Sequence, residues 1–372
     1  MRVLFSGGGT AGHINPALAI AGYLRAKHPD AEILFVGNKG GMEERLVPPA
    51  GYEIRTIHIS GFQRSFAPAD IVRNIKTVAR LATSSFESKK IIKEFKPDVC
   101  VGTGGYVCGP VLREAAKMGI PCVVHESNAF PGVTVKMLAK SVKAVLIAVE
   151  DAAKHLPEGT NVVVTGNPVR SEILCADRVE ARKKLGLDER PMVLSFGGSL
   201  GAGKLNEAMI TVLKDSAEKG TVQHIHGYGT RNGEYPDILR ESGYDTDAHP
   251  QIKVLEYINN MADCLAAADV VICRSGAMTL SEIEAMGKGS ILIPSPYVAE
   301  NHQYHNAMAL VNRGAAEIIE EKDLTGDSLL EKMNKILASP ETVEEYGRKA
   351  KEMAILDANE RIYNEIIKAA KG

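Results

Sequence analysis

The sequence predicts an α/β protein with two Rossmann-like domains. Short apolar segments rich in β-branched residues alternate with helical patterns, which is typical of a parallel sheet covered by helices on both faces. This alternation begins again after the turn Gly166-Asn167-Pro168. A chain of 372 residues is also longer than one hydrophobic core usually supports. We therefore expect two domains of ordinary size.

Ten segments have the pattern of a buried strand. They are residues 3–6, 33–36, 99–101, 121–125, 144–148 and 162–165 in the first half, and residues 192–196, 252–255, 270–273 and 290–294 in the second. The predicted domains are residues 1–165 and 166–340. Residues 341–372 form the final helices, with Pro340 at a first helical position, where proline is common.

The bulk composition indicates a soluble globular protein that does not bind nucleic acid. The formal net charge is -2, whereas nucleic-acid binding usually needs a basic surface. The six cysteines contain no CxxC pair, which fits a reducing cytoplasm. Neither a signal peptide nor an apolar run of about 18 residues is recognisable, so any membrane contact is expected to be peripheral.

Residues 7–12 (Gly-Gly-Gly-Thr-Ala-Gly) match GxGxxG at the first strand–helix turn. Such a loop lets a phosphate approach the backbone N–H groups of a helix N-terminus, and Asn15 and Pro16 suit the cap and first turn of that helix. The next strand ends in Gly37-Asn38, without the acidic residue that binds the ribose of NAD or FAD. A dinucleotide is therefore disfavoured, and a glycine turn needed only for packing stays open.

A second glycine loop, residues 198–204, nearly matches a P-loop. Leu205 stands where the Mg²⁺-binding hydroxyl should be, so an NTPase is disfavoured, although the loop can still hold phosphate. Asp245-Thr246-Asp247 has the form of a metal-binding DxD motif, but its polar loop favours a solvated turn. Because no other cluster has metal-ligand spacing, we expect no metal and no cofactor.

A third candidate anion site, residues 274–282, directly follows the strand at 270–273. Ser275 is the expected helix cap, and Gly276 and Ala277 leave room for a ligand at the helix start. The carboxylate of Glu282 can accept two hydrogen bonds, which suits the paired hydroxyls of a ribose. A glutamate on a helix surface is the alternative.

Six motifs in this order resemble the MurG family of bacterial cell-wall transferases. They are residues 8–13, 125–128, 166–170, 197–202 and 274–282, and His302-Gln303 with Asn306. The family's usual HEQN motif reads His125-Glu126-Ser127-Asn128 here. The resemblance implies the GT-B fold, in which two Rossmann-like domains face a cleft and the C-terminal helices cross back to the first domain. It also implies inverting transfer of N-acetylglucosamine from UDP-N-acetylglucosamine to the 4-hydroxyl of lipid I, the undecaprenyl-pyrophosphoryl muramyl-pentapeptide, giving lipid II.

The same resemblance implies a set of donor-binding residues. Arg170 and Ser199 would face the diphosphate, Ile258 the uracil, Glu282 the ribose and Gln303 the sugar hydroxyls. Further members would lie along the third segment or reach the donor from across the cleft. The whole implied set is Thr10, Ala11, Gly12, Asn128, Arg170, Ser199, Ile258, Ala277, Met278, Thr279, Leu280, Ser281, Glu282 and Gln303.

The implied reaction needs a base for the acceptor hydroxyl and fixed positive dipoles for the leaving diphosphate. His13 is the first candidate base, because a helix N-terminus disfavours its charged form and leaves the imidazole able to accept a proton. His125 and Glu126 are rival candidates. A histidine that only orients acceptor or phosphate is an equal alternative.

Residues 60–96 contain eight basic and three acidic side chains, in contrast to the acidic balance of the whole chain. Ile71, Ile75 and Val78 share one helical stripe, and Arg73, Lys76 and Arg80 share a neighbouring one. This layout is typical of a helix that rests on an anionic membrane surface, although the stripe could also face the core. With the resemblance, it indicates a peripheral protein on the cytoplasmic face of the bacterial membrane.

Two alternatives stay open. A UDP-N-acetylglucosamine epimerase, or another GT-B enzyme, would share the donor site but need no lipid-facing surface. A non-catalytic nucleotide-sugar sensor would bind the donor without turnover. The resemblance also raises a cell-wall synthesis complex as a partner, although no motif in the sequence points to one.

Overall fold

The computed structural model describes residues 1–60, 83–245 and 248–372. These residues form two units. Unit 1 comprises Met1–Pro168 and Asp357–Gly372, and unit 2 comprises Val169–Leu356. Among the described residues, no helix is both long and apolar enough to cross a membrane.

Unit 1 contains a seven-stranded parallel sheet of order β3-β2-β1-β4-β5-β6-β7. Its strands are β1 (Arg2–Ser6), β2 (Glu32–Asn38), β3 (Glu53–Ile57), β4 (Val99–Gly102), β5 (Cys122–Glu126), β6 (Ala144–Ile147) and β7 (Val162–Val164). Its helices are α1 (Ala11–Lys27), α2 (Glu43–Leu46), α3 (83–95), α4 (Cys108–Lys117), α5 (Val133–Leu138) and, last in the chain, α15 (Ala358–Lys371).

Both faces of the central strands β1, β4, β5 and β6 are buried, as the apolar strand sequences predict. Val3 and Phe5 of β1 point to one face and pack in the same core as Ile362 and Ile366 of α15. Leu4 points to the opposite face and lies in the core that includes Val111 and Leu112 of α4.

Unit 2 contains a six-stranded parallel sheet of order β10-β9-β8-β11-β12-β13. Its strands are β8 (Met192–Phe196), β9 (Gln223–Gly227), β10 (Ile252–Leu255), β11 (Val270–Cys273), β12 (Gly289–Leu292) and β13 (Ala316–Ile318). Its helices are α6 (Ser171–Leu174), α7 (Arg178–Leu185), α8 (Gly203–Lys219), α9 (Tyr235–Glu241), α10 (Met261–Ala267), α11 (Ala277–Met286), α12 (His302–Val311), α13 (Gly326–Ile336) and α14 (Pro340–Met353).

The predicted fold class, two Rossmann-like domains with parallel sheets, is confirmed. The start of α14 at Pro340 is confirmed as well, with Ser339 as its cap. Three strands escaped prediction, namely β3, β9 and β13. The five residues of β9 are all buried, although three of them are the polar Gln223, His224 and His226.

The predicted cap of the first helix is wrong. Helix α1 begins at Ala11, with Thr10 as N-cap in extended conformation, so Asn15 and Pro16 lie inside the helix. The chain enters its helical conformation directly from the glycine turn. Pro16 is tolerated there, although it has no N–H to donate to the carbonyl four residues earlier.

Candidate functional site

The first glycine loop connects β1 to α1 and places His13 in the first turn of that helix. The Nδ1 atom of His13 lies 3.1 Å from Oγ1 of Thr10. The carbonyl of His13 accepts a hydrogen bond from Oγ1 of Thr103 at 2.7 Å, which ties the first turn of α1 to the end of β4. The imidazole packs against Gly104, where an added Cβ would lie 2.9 Å from its Cδ2 atom.

Two side chains that the sequence reasoning missed line the same loop. Oε1 of Glu43 accepts a hydrogen bond from the N–H of Gly9 at 2.7 Å. The ring of Tyr106 packs against Gly9, where an added Cβ would lie 2.6 Å from the ring. A glycine-rich stretch around Tyr106, residues 102–109, was the available signal for that residue.

His125 and Glu126 end β5 and are buried. Nε2 of His125 donates to the carbonyl of Gly166 at 3.0 Å, and its Nδ1 lies 3.4 Å from the hydroxyl of Ser127. Burial lowers the pKa of His125 to about 4, and the bond to Gly166 only partly opposes this shift. The imidazole is therefore neutral near pH 7 and holds two chain segments together.

Glu126 organises the loop that follows β5. Its Oε1 accepts hydrogen bonds from the backbone N–H and the side-chain amide of Asn128, both at 2.9 Å, and its Oε2 accepts from the N–H of Gly132 at 2.9 Å. Burial raises the pKa of this carboxyl, while these donors lower it. The carboxylate is thus occupied by its own loop, and it fixes Asn128.

In unit 2, the second glycine loop follows β8 and leads into α8. Gly198 and Gly201 have positive φ values of 94° and 82°, which glycine adopts without strain. Ser199 is exposed, and its carbonyl accepts hydrogen bonds from the N–H and the hydroxyl of Thr230 at 3.1 and 3.2 Å. Thr230 therefore fixes the backbone of the loop, while the side chain of Ser199 remains accessible.

Arg170 and Glu282 form an ion pair. Nε of Arg170 donates to Oε1 of Glu282 at 2.8 Å, and Nη1 donates to Glu172 at 2.9 Å. The side chain of Arg170 is 45% exposed, whereas that of Glu282 is 11% exposed. Burial raises the pKa of Glu282, and the guanidinium of Arg170 lowers it by a smaller amount. A buried carboxylate is thus presented next to a partly accessible cation.

The third candidate segment forms the start of α11, but its predicted cap is wrong. The N-cap is Gly276 in extended conformation, and Ser275 is completely buried one position earlier. Helix α11 carries no acidic side chain in its first turn, so its N-terminal N–H groups keep their positive potential. Ala277, Met278, Thr279 and Ser281 are partly accessible, whereas Leu280 is buried.

Helix α12 adds Gln303 and Asn306 to the same edge of the sheet. Oε1 of Gln303 accepts from the N–H of Ser295 at 2.8 Å, and the amide of Asn306 donates to the carbonyl of Ser275 at 3.2 Å. Ser275 and Ser295 follow β11 and β12, and carboxyl ends of parallel strands meet at one edge. Ile258 is buried beside the end of β9, where an added Cβ at Gly227 would lie 3.0 Å from it.

Other predicted residues lie partly or wholly outside the described chain. These are Thr246 and Asp247 of the DxD motif, and Ile71, Arg73, Ile75, Lys76, Val78 and Arg80 of the predicted membrane surface. Among the described residues, no group of three or more His, Cys, Asp or Glu side chains is arranged to hold a metal ion. Independence of metal and cofactor stays a prediction.

Two Rossmann-like units, each with a glycine loop after its first strand, and an ion pair between Arg170 and Glu282 at the sheet edge of unit 2 are typical of the GT-B class of glycosyltransferases. Family models agree with this class. The glycosyltransferase family 28 N-terminal domain matches residues 3–147, and the glycosyltransferase family 28 C-terminal domain matches residues 192–362. The chain belongs to glycosyltransferase family 28.

The resemblance to the MurG family is confirmed by individual relatives. A protein of Acetivibrio thermocellus is 47% identical over 369 residues, which cover 99% of this chain and 98% of the relative. That relative is named UDP-N-acetylglucosamine–N-acetylmuramyl-(pentapeptide) pyrophosphoryl-undecaprenol N-acetylglucosamine transferase. The crystal structure of Acinetobacter baumannii MurG is 30% identical, covers 99% of both chains and has a TM-score of 0.77.

A solved UDP-N-acetylglucosamine 2-epimerase from Neisseria meningitidis also matches. Its TM-score is 0.67, it covers 99% of this chain and 100% of its own, and its identity is 13%. At this identity the likeness shows the fold alone.

Proposed function

We propose that this chain transfers N-acetylglucosamine from UDP-N-acetylglucosamine to the 4-hydroxyl of lipid I, with inversion at the anomeric carbon, and so forms lipid II for peptidoglycan synthesis. The observation that carries the proposal is the cluster of Arg170, Glu282 and the N-terminus of α11 at one edge of the unit 2 sheet. It combines the groups that a nucleoside diphosphate needs, namely a cation, backbone N–H groups and a ribose acceptor. The transferase name of the full-length relatives supports the same chemistry.

In this proposal the donor is bound mainly by unit 2. Arg170 and the loop at Ser199 stabilise the charge that develops on the leaving UDP, since such preorganised dipoles act where charge forms in the transition state. Glu282 binds the ribose, Ile258 contacts the uracil, and Gln303 contacts the sugar hydroxyls. Thr10, Ala11, Gly12 and Asn128 are further donor contacts, and residues 277–281 line the donor along α11.

His13 is the proposed general base. It is partly accessible in the first turn of α1, whereas His125 is buried with a pKa of about 4 and Glu126 is held by its own loop. A neutral imidazole can take the proton of the muramyl 4-hydroxyl as that oxygen attacks the anomeric carbon and UDP leaves. His125 and Glu126 then shape the acceptor side of unit 1 and do not transfer the proton.

We further propose that the protein works peripherally at the cytoplasmic face of the membrane, where lipid I is anchored. The basic and apolar stripes of residues 71–80 would contact anionic lipid. A cell-wall synthesis complex is a partner consistent with this location.

The decisive experiment incubates the protein with labelled UDP-N-acetylglucosamine and a lipid I analogue, followed by mass analysis. The proposal expects a product heavier than the acceptor by one N-acetylglucosamine residue, together with free UDP. A changed sugar nucleotide formed without acceptor would instead identify an epimerase. Binding of the donor with no change in either compound would identify a sensor.

A further inference from the structure

The carboxylate of Glu43 lies within the first glycine loop. Glu43 is 1% exposed, and its Oε1 receives the N–H of Gly9 at 2.7 Å. Two other glycines leave room for it. An added Cβ at Gly8 would lie 1.6 Å from Oε1, and one at Gly41 would lie 2.1 Å from Oε2. Any larger residue at these two positions would therefore displace the carboxylate.

This carboxylate occupies the kind of position that a GxGxxG loop usually offers to a phosphate. Helix α1 has no acidic residue in its first turn, so the nearby negative charge comes from the segment after β2. The charge of Glu43 also contributes, after burial, to the raised pKa of Tyr106 on the other side of the loop. An internal carboxyl group thus accepts a backbone N–H at the entry to the helix.

One oxygen of the Glu43 carboxyl group lacks a hydrogen-bond donor among the described residues. Oε2 of Glu43 is buried and has no hydrogen-bond partner among the described residues. Leaving a buried polar oxygen unsatisfied costs free energy, so a purely structural role would be served better by an apolar or fully bonded side chain. The arrangement therefore points to a function of the loop that the carboxylate supports.

The loop leads within four residues to His13. Gly9 is followed by Thr10, whose carbonyl accepts the N–H of His13 at 3.1 Å and whose hydroxyl lies 3.1 Å from Nδ1 of the imidazole. A shift of the Gly8–Gly9 turn would move Thr10 and with it the imidazole. Rotation of the ring is limited by its contact with Gly104.

We infer that Glu43 is a positioning residue for the transfer reaction: it anchors the Gly8–Gly9 turn and thereby fixes His13 against the acceptor hydroxyl. The inference rests on the proposed function, because it concerns the placement of the proposed base. It assigns the Gly8–Gly9 turn to the orientation of His13, while Thr10, Ala11 and Gly12 of the same loop remain proposed donor contacts.

Three variants and a matched control test this role. Glu43→Ala removes the anchor, Glu43→Asp keeps the charge but shortens the reach to Gly9, and Glu43→Gln keeps an acceptor oxygen at the original length. Glu44→Gln is the control, because the exposed Glu44 also accepts a backbone N–H, that of Gly40 at 3.0 Å. For each variant, kcat, both KM values, the melting temperature and the affinity for UDP are measured.

We expect Glu43→Ala and Glu43→Asp to lower kcat by on the order of 100-fold, as a misplacement of about 1 Å can do. Glu43→Gln should recover most of this loss, and Glu44→Gln should behave as wild type. The affinity of every variant for UDP should stay within about twofold of the wild-type value, well below a 1.4 kcal/mol change.

Wild-type kcat in Glu43→Asp, or in a folded Glu43→Ala, would overturn the inference. If Glu43→Ala does not fold, the Asp and Gln variants decide. A wild-type protein that makes no product would instead refute the proposed function itself, and this inference with it.

Discussion

Arg170 and Glu282 bind each other through a 2.8 Å hydrogen bond between Nε and Oε1, although they are 112 residues apart. Each is proposed to bind a different part of the donor. The pair holds the guanidinium and the carboxylate in fixed directions before the ligand arrives, which reduces the entropy lost on binding. The side chain of Glu282 is 11% exposed beside the 45% exposed guanidinium, and its carboxylate is the proposed acceptor for a ribose hydroxyl.

The first prediction concerns this carboxylate. Glu282→Ala should weaken UDP binding by about 1 to 3 kcal/mol, because it removes hydrogen bonds to a charged acceptor and also releases Arg170. Titration calorimetry with UDP measures the change. Glu172→Ala is the control, since Glu172 also binds Arg170 but is 64% exposed, and it should change the affinity by less than about 0.5 kcal/mol. Unchanged affinity in Glu282→Ala would remove Glu282 from the donor site.

The second prediction concerns the base. His13→Ala should lower kcat by about 100-fold to 10,000-fold with donor and acceptor both saturating, because general base catalysis contributes on this order. His58→Ala is the control, since this half-exposed histidine pairs with Glu87 and is not in the proposed site. Near-normal turnover of His13→Ala would show that the imidazole only orients a substrate.

The sequence predicted those parts of the molecule that depend on local pattern. Apolar strands buried on both faces, such as β1 and β11, are visible as continuous apolar runs, and both glycine loops are visible as motifs. Strand β9 was missed because its histidines are buried through tertiary contacts, which composition does not reveal. The bond from Gly9 to Glu43 spans 34 residues, and the pair Arg170–Glu282 spans 112. Such partners follow from the folded chain and not from spacing along it.

The third prediction concerns metal. Turnover should be unchanged by EDTA, because the proposed stabilisation of UDP uses backbone N–H groups and Arg170. The assay compares initial rates with and without chelator and after addition of Mg²⁺ or Mn²⁺. Loss of activity with EDTA and its rescue by metal would contradict this expectation. In that case Asp245→Asn and Asp247→Asn would test whether the DxD motif is the site.

The fourth prediction concerns the membrane surface. The protein should co-sediment with vesicles that contain anionic lipid and release them as salt rises, since exposed electrostatic attraction is screened. Exchanging Arg73, Lys76 and Arg80 together for Glu should abolish this binding. The matched control exchanges the exposed Lys140, Lys143 and Lys183 together for Glu and should leave it intact. Binding that does not respond to anionic lipid or to salt would argue against this surface.

The fifth prediction follows from two histidines buried in β9. Nδ1 of His226 lies 2.8 Å from the hydroxyl of Ser195, and neither ring nitrogen of His224 has a hydrogen-bond partner among the described residues. Burial lowers the pKa of His226 to about 4, and burial together with His226 lowers that of His224 to about 3. Both side chains are therefore neutral in the folded protein at pH 5 to 7.

The two buried histidines should make the protein less stable as the pH falls. The unfolded chain, with a histidine pKa near 6.5, binds protons between pH 6.5 and 4, whereas the folded chain does not. The buried neutral histidines therefore make their full contribution to the free energy of unfolding above pH 6.5. This contribution decreases as the pH falls towards 4. For His226 alone, the decrease from pH 7 to pH 5 should be about 2 kcal/mol.

Urea unfolding at pH 7 and pH 5 measures this decrease. In His226→Gln, which cannot gain a proton, the difference between the two pH values should shrink by about 2 kcal/mol. In His155→Gln, where the histidine is exposed, the difference should match that of the wild type. Both substitutions leave every carboxylate in place, so the comparison isolates the contribution of the histidine. An identical pH dependence in wild type and His226→Gln would mean that His226 takes up a proton as readily in the folded state as in the unfolded chain, and that its burial does not limit stability in acid.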